Sequence, residues 1–479
     1  MNTRQRTLAA VLALTALTAT RASWAVDATV QQIATRFMSS IPADWTSVPG
    51  TWEYFDPEAC FTAPTGICYG NNPTSPYGFP SFAKKQDGTP TFSFQMNPSE
   101  AVVLVFRTPP TMRYFSFAQY LVKRPGDDYA VFASLSDSLN QLKIGTTGSQ
   151  SPGTNVFNQY SAVVWTADAA TYEATRALLL ASGLPEWAIN FLPLPLTITP
   201  AGSPIPIGLG YGQNGNLMNL LMRTALPVIE AEFDAYKQEK PFYVVRVRPP
   251  RQQAQSPAPV IGYASDASGV KEPDGLRQAL DQLVADIRSR YVGRSYRVSD
   301  LSVSFTTVTG WDCIAKNIGC AADNHDALYS FDVNSARSGA VRFGKPKDLL
   351  IIAGVNHQKT GKATYVNHSV YDTKKLSGIV SVADPLLTKQ SALYHAGVSD
   401  PADPRLATYS SLYAYAISYD CTGISHCLAI PAPTAANPIG LAPGSPFFVM
   451  GRKYLEPRTR VRPALSEITP HRTMQLSAP

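Results

Sequence analysis

Charge is scarce in this chain. Only 16% of its 479 residues are Asp, Glu, Lys or Arg, against 44% hydrophobic, a balance that excludes a disordered polyelectrolyte. The net charge of +6 is not gathered into a patch, so nucleic acid is not an expected partner. Long apolar runs are also missing. The longest spans only about a dozen residues near the N-terminus, too short to cross a bilayer as a helix. Pro 39 and Gly 31 stay below a low-complexity composition. There is no G-x-S-x-G elbow, H-E-x-x-H pair, Walker loop or C-x-x-C-H site, so no cofactor or metal is expected.

Residues 1–25, MNTRQRTLAAVLALTALTATRASWA, place Arg4 and Arg6 before the short apolar run and small residues at Ser23 and Ala25. That is the pattern of a secretory signal cleaved after Ala25. Arg4, Arg6 and Arg21 all fall in it, so cleavage halves the net charge. The expected location is secreted or periplasmic.

Export makes the six cysteines legible. They form three close pairs, 60 and 68, 313 and 320, 421 and 427. Local pairing into three disulfides is expected in an oxidising compartment. None of the spacings is the short C-x2-C of a zinc knuckle.

The chain also matches itself. CYGNNPTSPYGF (68–79) lies over CAADNHDALYSF (320–331), bringing Asn72 onto Asn324, Tyr77 onto Tyr329 and Phe79 onto Phe331, each copy with a partner Cys upstream. Downstream, AVVLVF (101–106) matches DLLIIAG (348–354), and Tyr114 and Tyr120 match Tyr365 and Tyr371. Asp137 then falls on Asp384, and PFYVVRVRPP (241–250) on PFFVMGRKYLEP (446–457). An amphipathic helix leads each copy, over 28–38 and 275–291, the second with Asp274 as its N-cap. Strands dominate elsewhere, alternating or continuously apolar. The expected fold is α+β: two β-rich, internally duplicated halves with antiparallel sheets, packed about a pseudo-twofold axis with a cleft between them.

The boundaries follow. Residues 26–248 form the first half and 274–457 the second. The Pro-, Gln- and Ser-rich 249–273 is a linker, and 458–479 a C-terminal extension. The first half carries an insertion near 170–225. From Trp187 to Met222 it has no charged side chain, and its prolines exclude a membrane helix. This stretch is either core packing or a candidate partner surface.

Chemistry concentrates in Asp323-Asn324-His325-Asp326. An imidazole beside carboxylates can serve as general acid or base. The first copy has Asn71-Asn72-Pro73-Thr74 at the same places, so His325 and Asp326 are surplus to the shared scaffold. GVNHQKTGKATY (354–365) adds His357, Lys359 and Lys362 at a strand end. The matching loop of the first copy carries Arg107 and Arg113. His325, Asp326, Asp323 and His357 are therefore the candidate catalytic residues, and Arg107, Arg113, Lys362 and Tyr329 the candidate substrate-binding residues. Asp137 and Asp384 read as turn caps, and His368 as a satisfied half-buried histidine. The leading expectation is an exported hydrolase or lyase acting on a small or polymeric substrate. The alternative is a non-catalytic ligand- or carbohydrate-binding protein.

Overall fold

The computed structural model describes residues 27–64, 66–84, 88–251, 253–264, 267–333 and 340–479. The expected signal sequence lies outside them. The chain is mixed α+β, mostly strand, with largely antiparallel sheets and few helices.

In residues 27–251 one long strand, Thr46–Tyr54, serves two layers. Its first part pairs with Phe242–Arg248, followed in order by Ala101–Arg107, Tyr160–Thr166 and, parallel to the last, Ile189–Pro193. Its second part pairs with Tyr77–Ala83, followed by Leu217–Pro227, Met112–Lys123 and Ala133–Ser134. The result is an eleven-stranded sheet folded into two layers. Ala101–Arg107 explains its own apolar run: successive side chains point to opposite faces, and both faces are covered. Val103 and Val105 pack under the leading helix Ala28–Ser40, against Val30, Ile33 and Phe37. Val102, Leu104 and Phe106 enter the core between the layers. Asp27 caps that helix, accepting from the Thr29 and Val30 amides.

Residues 267–479 run through the same order. Arg297–Asp300, Arg472–Ser477, Leu349–Val355, Leu412–Ser418 and the parallel Cys427–Ala429 form one sheet. Ser302–Thr306, Ala327–Val333, Phe447–Tyr454, Tyr365–Asp372 and Gly378–Ala383 form the other. Leu349, Ile351 and Ala353 face the helix Gly275–Val292, while Leu350 and Ile352 face the second sheet. Asp274 precedes this helix, but its side chain makes no capping bond.

Several boundaries differ from expectation. Residues 458–479 do not trail: Arg472–Ser477 is an interior strand, hydrogen-bonded on both sides. By strand order, Phe447–Tyr454 answers to Leu217–Pro227, and Phe242–Arg248 answers to Arg472–Ser477. Both pairs of strands are apolar with interspersed arginine, which is how a short match slipped by one strand. The charge-free 187–222 is largely interior, with Leu194, Ile198, Met218, Leu220 and Met222 fully buried. Of its large apolar side chains only Trp187 and Tyr211 are exposed, so it is core rather than a partner surface. The 249–273 connection is pinned, with Asp168 accepting from the Gln255 and Ser256 amides. All three local disulfides are present.

Candidate ligand-binding cleft

The loops clamped by Cys60–Cys68 and Cys313–Cys320 face each other across a cleft of about 750 Å³. Its walls are apolar, including Phe79, Phe92, Phe132, Phe331, Phe448 and Met450. Tyr77 and Tyr329 also line it. Each uses its hydroxyl to accept an amide bond within its own loop, from Asn72 at 2.9 Å and Asn324 at 3.1 Å.

Two arginines line the same cleft, and both are buried, at 2% and 3% exposure for Arg223 and Arg452. Arg223 projects from Leu217–Pro227 opposite Tyr77, and Arg452 from Phe447–Tyr454 opposite Tyr329. Their contacts cross between the halves. Arg223 donates to the carbonyl of Ala322 and to the Tyr120 hydroxyl. Arg452 Nη2 donates to the carbonyl of Gly70 at 2.7 Å. Arg223 lies over the Tyr77 and Tyr120 rings at 5.6 and 5.4 Å, and Arg452 over Tyr329 and Tyr371 at 5.6 and 5.5 Å. A guanidinium keeps its charge when buried. Among the described residues Arg452 Nη1 nevertheless has no hydrogen-bond partner, a costly omission for a buried charged donor. Burial raises Tyr329 to about 12 and Tyr454 well above the ordinary tyrosine value, so both remain neutral hydroxyls. The arrangement offers positive charge at the bottom of an apolar cavity.

The expected site residues are dispersed. Of the proposed catalytic group, only Asp323 lines the cleft. Its carboxylate is occupied by the Ser134 amide and hydroxyl at 2.8 and 2.6 Å, and burial raises its pKa. Asp326 does not orient His325. Its two oxygens accept from Tyr114 and Asn140 at 2.7 and 2.9 Å, and burial raises it as well. His325 sits beneath the 249–273 connection, with Nε2 3.0 Å from the Ala264 carbonyl and its ring 4.6 Å from that of Tyr263. Among the described residues, the Asp137 carboxylate lies 3.8 Å from its Nε2.

His357 pairs with Glu272 at 2.7 Å, both buried. Burial alone would raise that carboxyl; the His357 partner and bonds from Thr469 and Thr360 outweigh it and hold it low. Lys362 is buried and saturated by Glu456, Glu467, Ser268 and the Val270 carbonyl. Arg107 is committed to Asp27 and Glu239. Arg113 is exposed outside the cleft lining. Tyr329 alone of the proposed binding residues lies in the cleft.

Sequence reading missed both arginines. The available signal was charge inside an otherwise apolar strand, Arg223 in LMNLLMRTALP and Arg452 with Lys453 in FFVMGRKY, because such residues are rarely buried without a purpose.

A second cluster lies inside the C-terminal half. Asp332, His368 and His471 each bring a ligand-type atom within 4.8 Å of the others. His471 Nε2 is 2.8 Å from Asp332 Oδ1, and His368 Nε2 is 2.6 Å from the Tyr413 hydroxyl. Lys453 donates to Ser330 at 2.8 Å beside them. Burial, which dominates, depresses both histidines and pushes Lys453 down to about 8, while Asp332 acts the other way on His471 and Lys453. His368 is thus fully buried rather than half-buried, and His471 belongs to a core strand's entry rather than a tail.

No family model matches this chain, and no curated protein matches it. Among solved structures it is similar to the crystal structure of an uncharacterized protein from Burkholderia cenocepacia. That match has a TM-score of 0.38 and 11% identity, over 93% of this chain and 86% of the other. The N-terminal tandem CBM22 domain of Paenibacillus barcinonensis Xyn10C matches with a TM-score of 0.13 and 9% identity, over 92% and 96% of the two chains. Scores this low carry no argument about function.

Proposed function

We propose that this is an exported binding protein whose cleft takes an apolar molecule bearing one anionic group, such as a carboxylate. Arg452 Nη1 carries the reading: a charged donor, buried and without a hydrogen-bond partner among the described residues, in the wall of an apolar cavity of ligand size. Arg223 reinforces the positive field from the other half. A guanidinium fork suits a planar carboxylate. The apolar walls supply the affinity and the charge fixes the orientation. The two halves are copies of one unit related by a pseudo-twofold axis, as the matching strand orders and the crossed arginine contacts support. Three disulfides are consistent with an oxidising compartment. Binding is preferred over acid/base catalysis because His325 is covered by Tyr263 and is not among the cleft-lining residues.

Calorimetry with three ten-carbon probes, decanoate, decanol and decyltrimethylammonium, tests this on the full chain. Decanoate should bind at least about tenfold more tightly than decanol, and the cation should not bind. Arg452→Met should abolish the difference between acid and alcohol, whereas His325→Ala should leave decanoate affinity unchanged. Equal binding of all three probes, or none of any, would sink the proposal.

A further inference from the structure

Among the described residues, the Asp332, His368 and His471 cluster leaves three polar atoms without hydrogen-bond partners. They are Asp332 Oδ2, His368 Nδ1 and His471 Nδ1, on residues 0%, 0% and 1% exposed. Buried polar atoms are almost always paired. One orphan is an irregularity; three buried residues of metal-ligand type, each with an unanswered atom and each offering a ligand atom within 4.8 Å of the others, mark a place for an ion, which would take His471 through the Nε2 that already meets Asp332.

We propose that Asp332, His368 and His471 bind one divalent first-row transition ion of the zinc class, which ties the two sheets of the C-terminal half together. Two imidazoles and a carboxylate are a donor set for such ions. Asp332 and His368 come from the sheet containing Ala327–Val333 and Tyr365–Asp372, and His471 immediately precedes Arg472–Ser477 in the other, so the ion would bridge the layers. The supporting shell is present. Tyr413 engages His368 Nε2 and leaves Nδ1 as the open nitrogen. Gly451 keeps the cradle clear: a Cβ there would lie 2.5 Å from Ser330 Oγ and 3.0 Å from both His368 Nδ1 and Lys453 Nζ. Donor atoms within 4.8 Å of each other need shifts of only about 1 Å to close on an ion with ~2 Å bonds. Lys453 is the competing cation, and removing it should favour the metal.

The test uses the full chain, disulfides intact, stripped with chelator and checked for folding by circular dichroism. Co²⁺ alone is added both to the folded chain and during refolding from urea. One equivalent of Co²⁺ with visible ligand-field bands is expected, displaced by Zn²⁺ and accompanied by a rise in Tm. Affinity should fall about 100-fold in His368→Phe. It should fall about tenfold in Gly451→Ala, which retains every ligand, and rise in Lys453→Met. If folded, stripped wild type takes up no ion by either route, the proposal is overturned. Bands and affinity that are the same in wild type, His368→Phe and Gly451→Ala overturn it too.

Discussion

Two interiors between similarly ordered strands contrast: the one in residues 27–251 is aromatic, whereas the one around Asp332, His368 and His471 in residues 267–479 is ionisable. In the first half Trp52 stacks on Phe242 at 3.8 Å, and Phe106 stands 5.1 Å from Phe117 and 5.3 Å from Phe242. By strand register Phe117, opposite Met222, answers to His368, opposite Gly451, and Phe242 at the start of its strand answers to His471, which immediately precedes Arg472–Ser477. The substitution recurs at the edges. Phe115 donates its amide to Gln141 at 2.8 Å, and Val366 donates its own to Asp384 at 2.8 Å. Thr74 meets Tyr365 where Asp326 meets Tyr114. Corresponding positions in the strand order thus carry neutral side chains in one half and titratable ones in the other, and in the second some polar atoms are left unanswered among the described residues. At these positions the first half packs aromatic rings, whereas the second, apolar elsewhere, places hydrogen bonds and charges.

The comparison predicts its own largest breakage. Asp332→Ala leaves His471 and Lys453 without their carboxylate and should cost roughly 3–5 kcal/mol. Phe117→Ala should cost about the same through the cavity it leaves. Urea unfolding at pH 7 measures both. Only the first should depend on salt and pH. A loss under about 1 kcal/mol for Asp332→Ala would mean the polar interior holds nothing together.

A second contrast concerns pH. Burial raises Asp384 to about 7, opposed by the Val366 amide and by Arg113. Its folded pKa therefore lies above its unfolded value. The stability it permits is fully present below the unfolded carboxyl pKa and is lost as pH rises through about 7. At ~1.4 kcal/mol per pH unit the loss is at most roughly 4 kcal/mol. Asp384→Asn keeps an acceptor for the Val366 amide, as Gln141 does for Phe115, and removes the charge. Its chemical denaturation curve should be flatter than that of wild type between about pH 4 and 7. A slope unchanged by the substitution would remove Asp384 as its source.

Legibility in the sequence followed the same division. Apolar periodicity located the central strands and the leading helices, because alternation of side chains is a local property of the backbone. The three disulfides followed from spacing. The matched Asn72, Asn324, Tyr77 and Tyr329 do hold corresponding loops. Replacement of Asp326 by Thr74 at the matched place does not free it from a scaffold duty, because different side chains can perform one duty: Asp326 accepts from Tyr114 where Thr74 meets Tyr365. Arg223 and Arg452 were overlooked because their partners, Ala322 and Gly70, lie on the opposite half, where no local pattern points.

The smallest expected effect is the sharpest test of that equivalence. Asp326 accepts from the Tyr114 hydroxyl, and Asn324 Nδ2 donates to the same hydroxyl at 2.7 Å. In the other half the Thr74 hydroxyl meets Tyr365, and Asn72 Nδ2 donates to it at 3.0 Å. Asp326→Thr should therefore reproduce an arrangement the fold already contains. It gives up the Asn140 bond, worth about 1 kcal/mol, but also relieves a buried carboxyl, so net stability should change by no more than about 1 kcal/mol. Asp326→Ala leaves Asn140 Nδ2 without its acceptor and the Tyr114 hydroxyl with Ser116 alone to donate to, and should cost roughly 2 kcal/mol. Decanoate affinity should be unaltered by the threonine. If Asp326→Thr lost more than about 3 kcal/mol, or lost ligand binding, Asp326 would have a task that Thr74 does not share, and the two loops would be alike in trace but not in work.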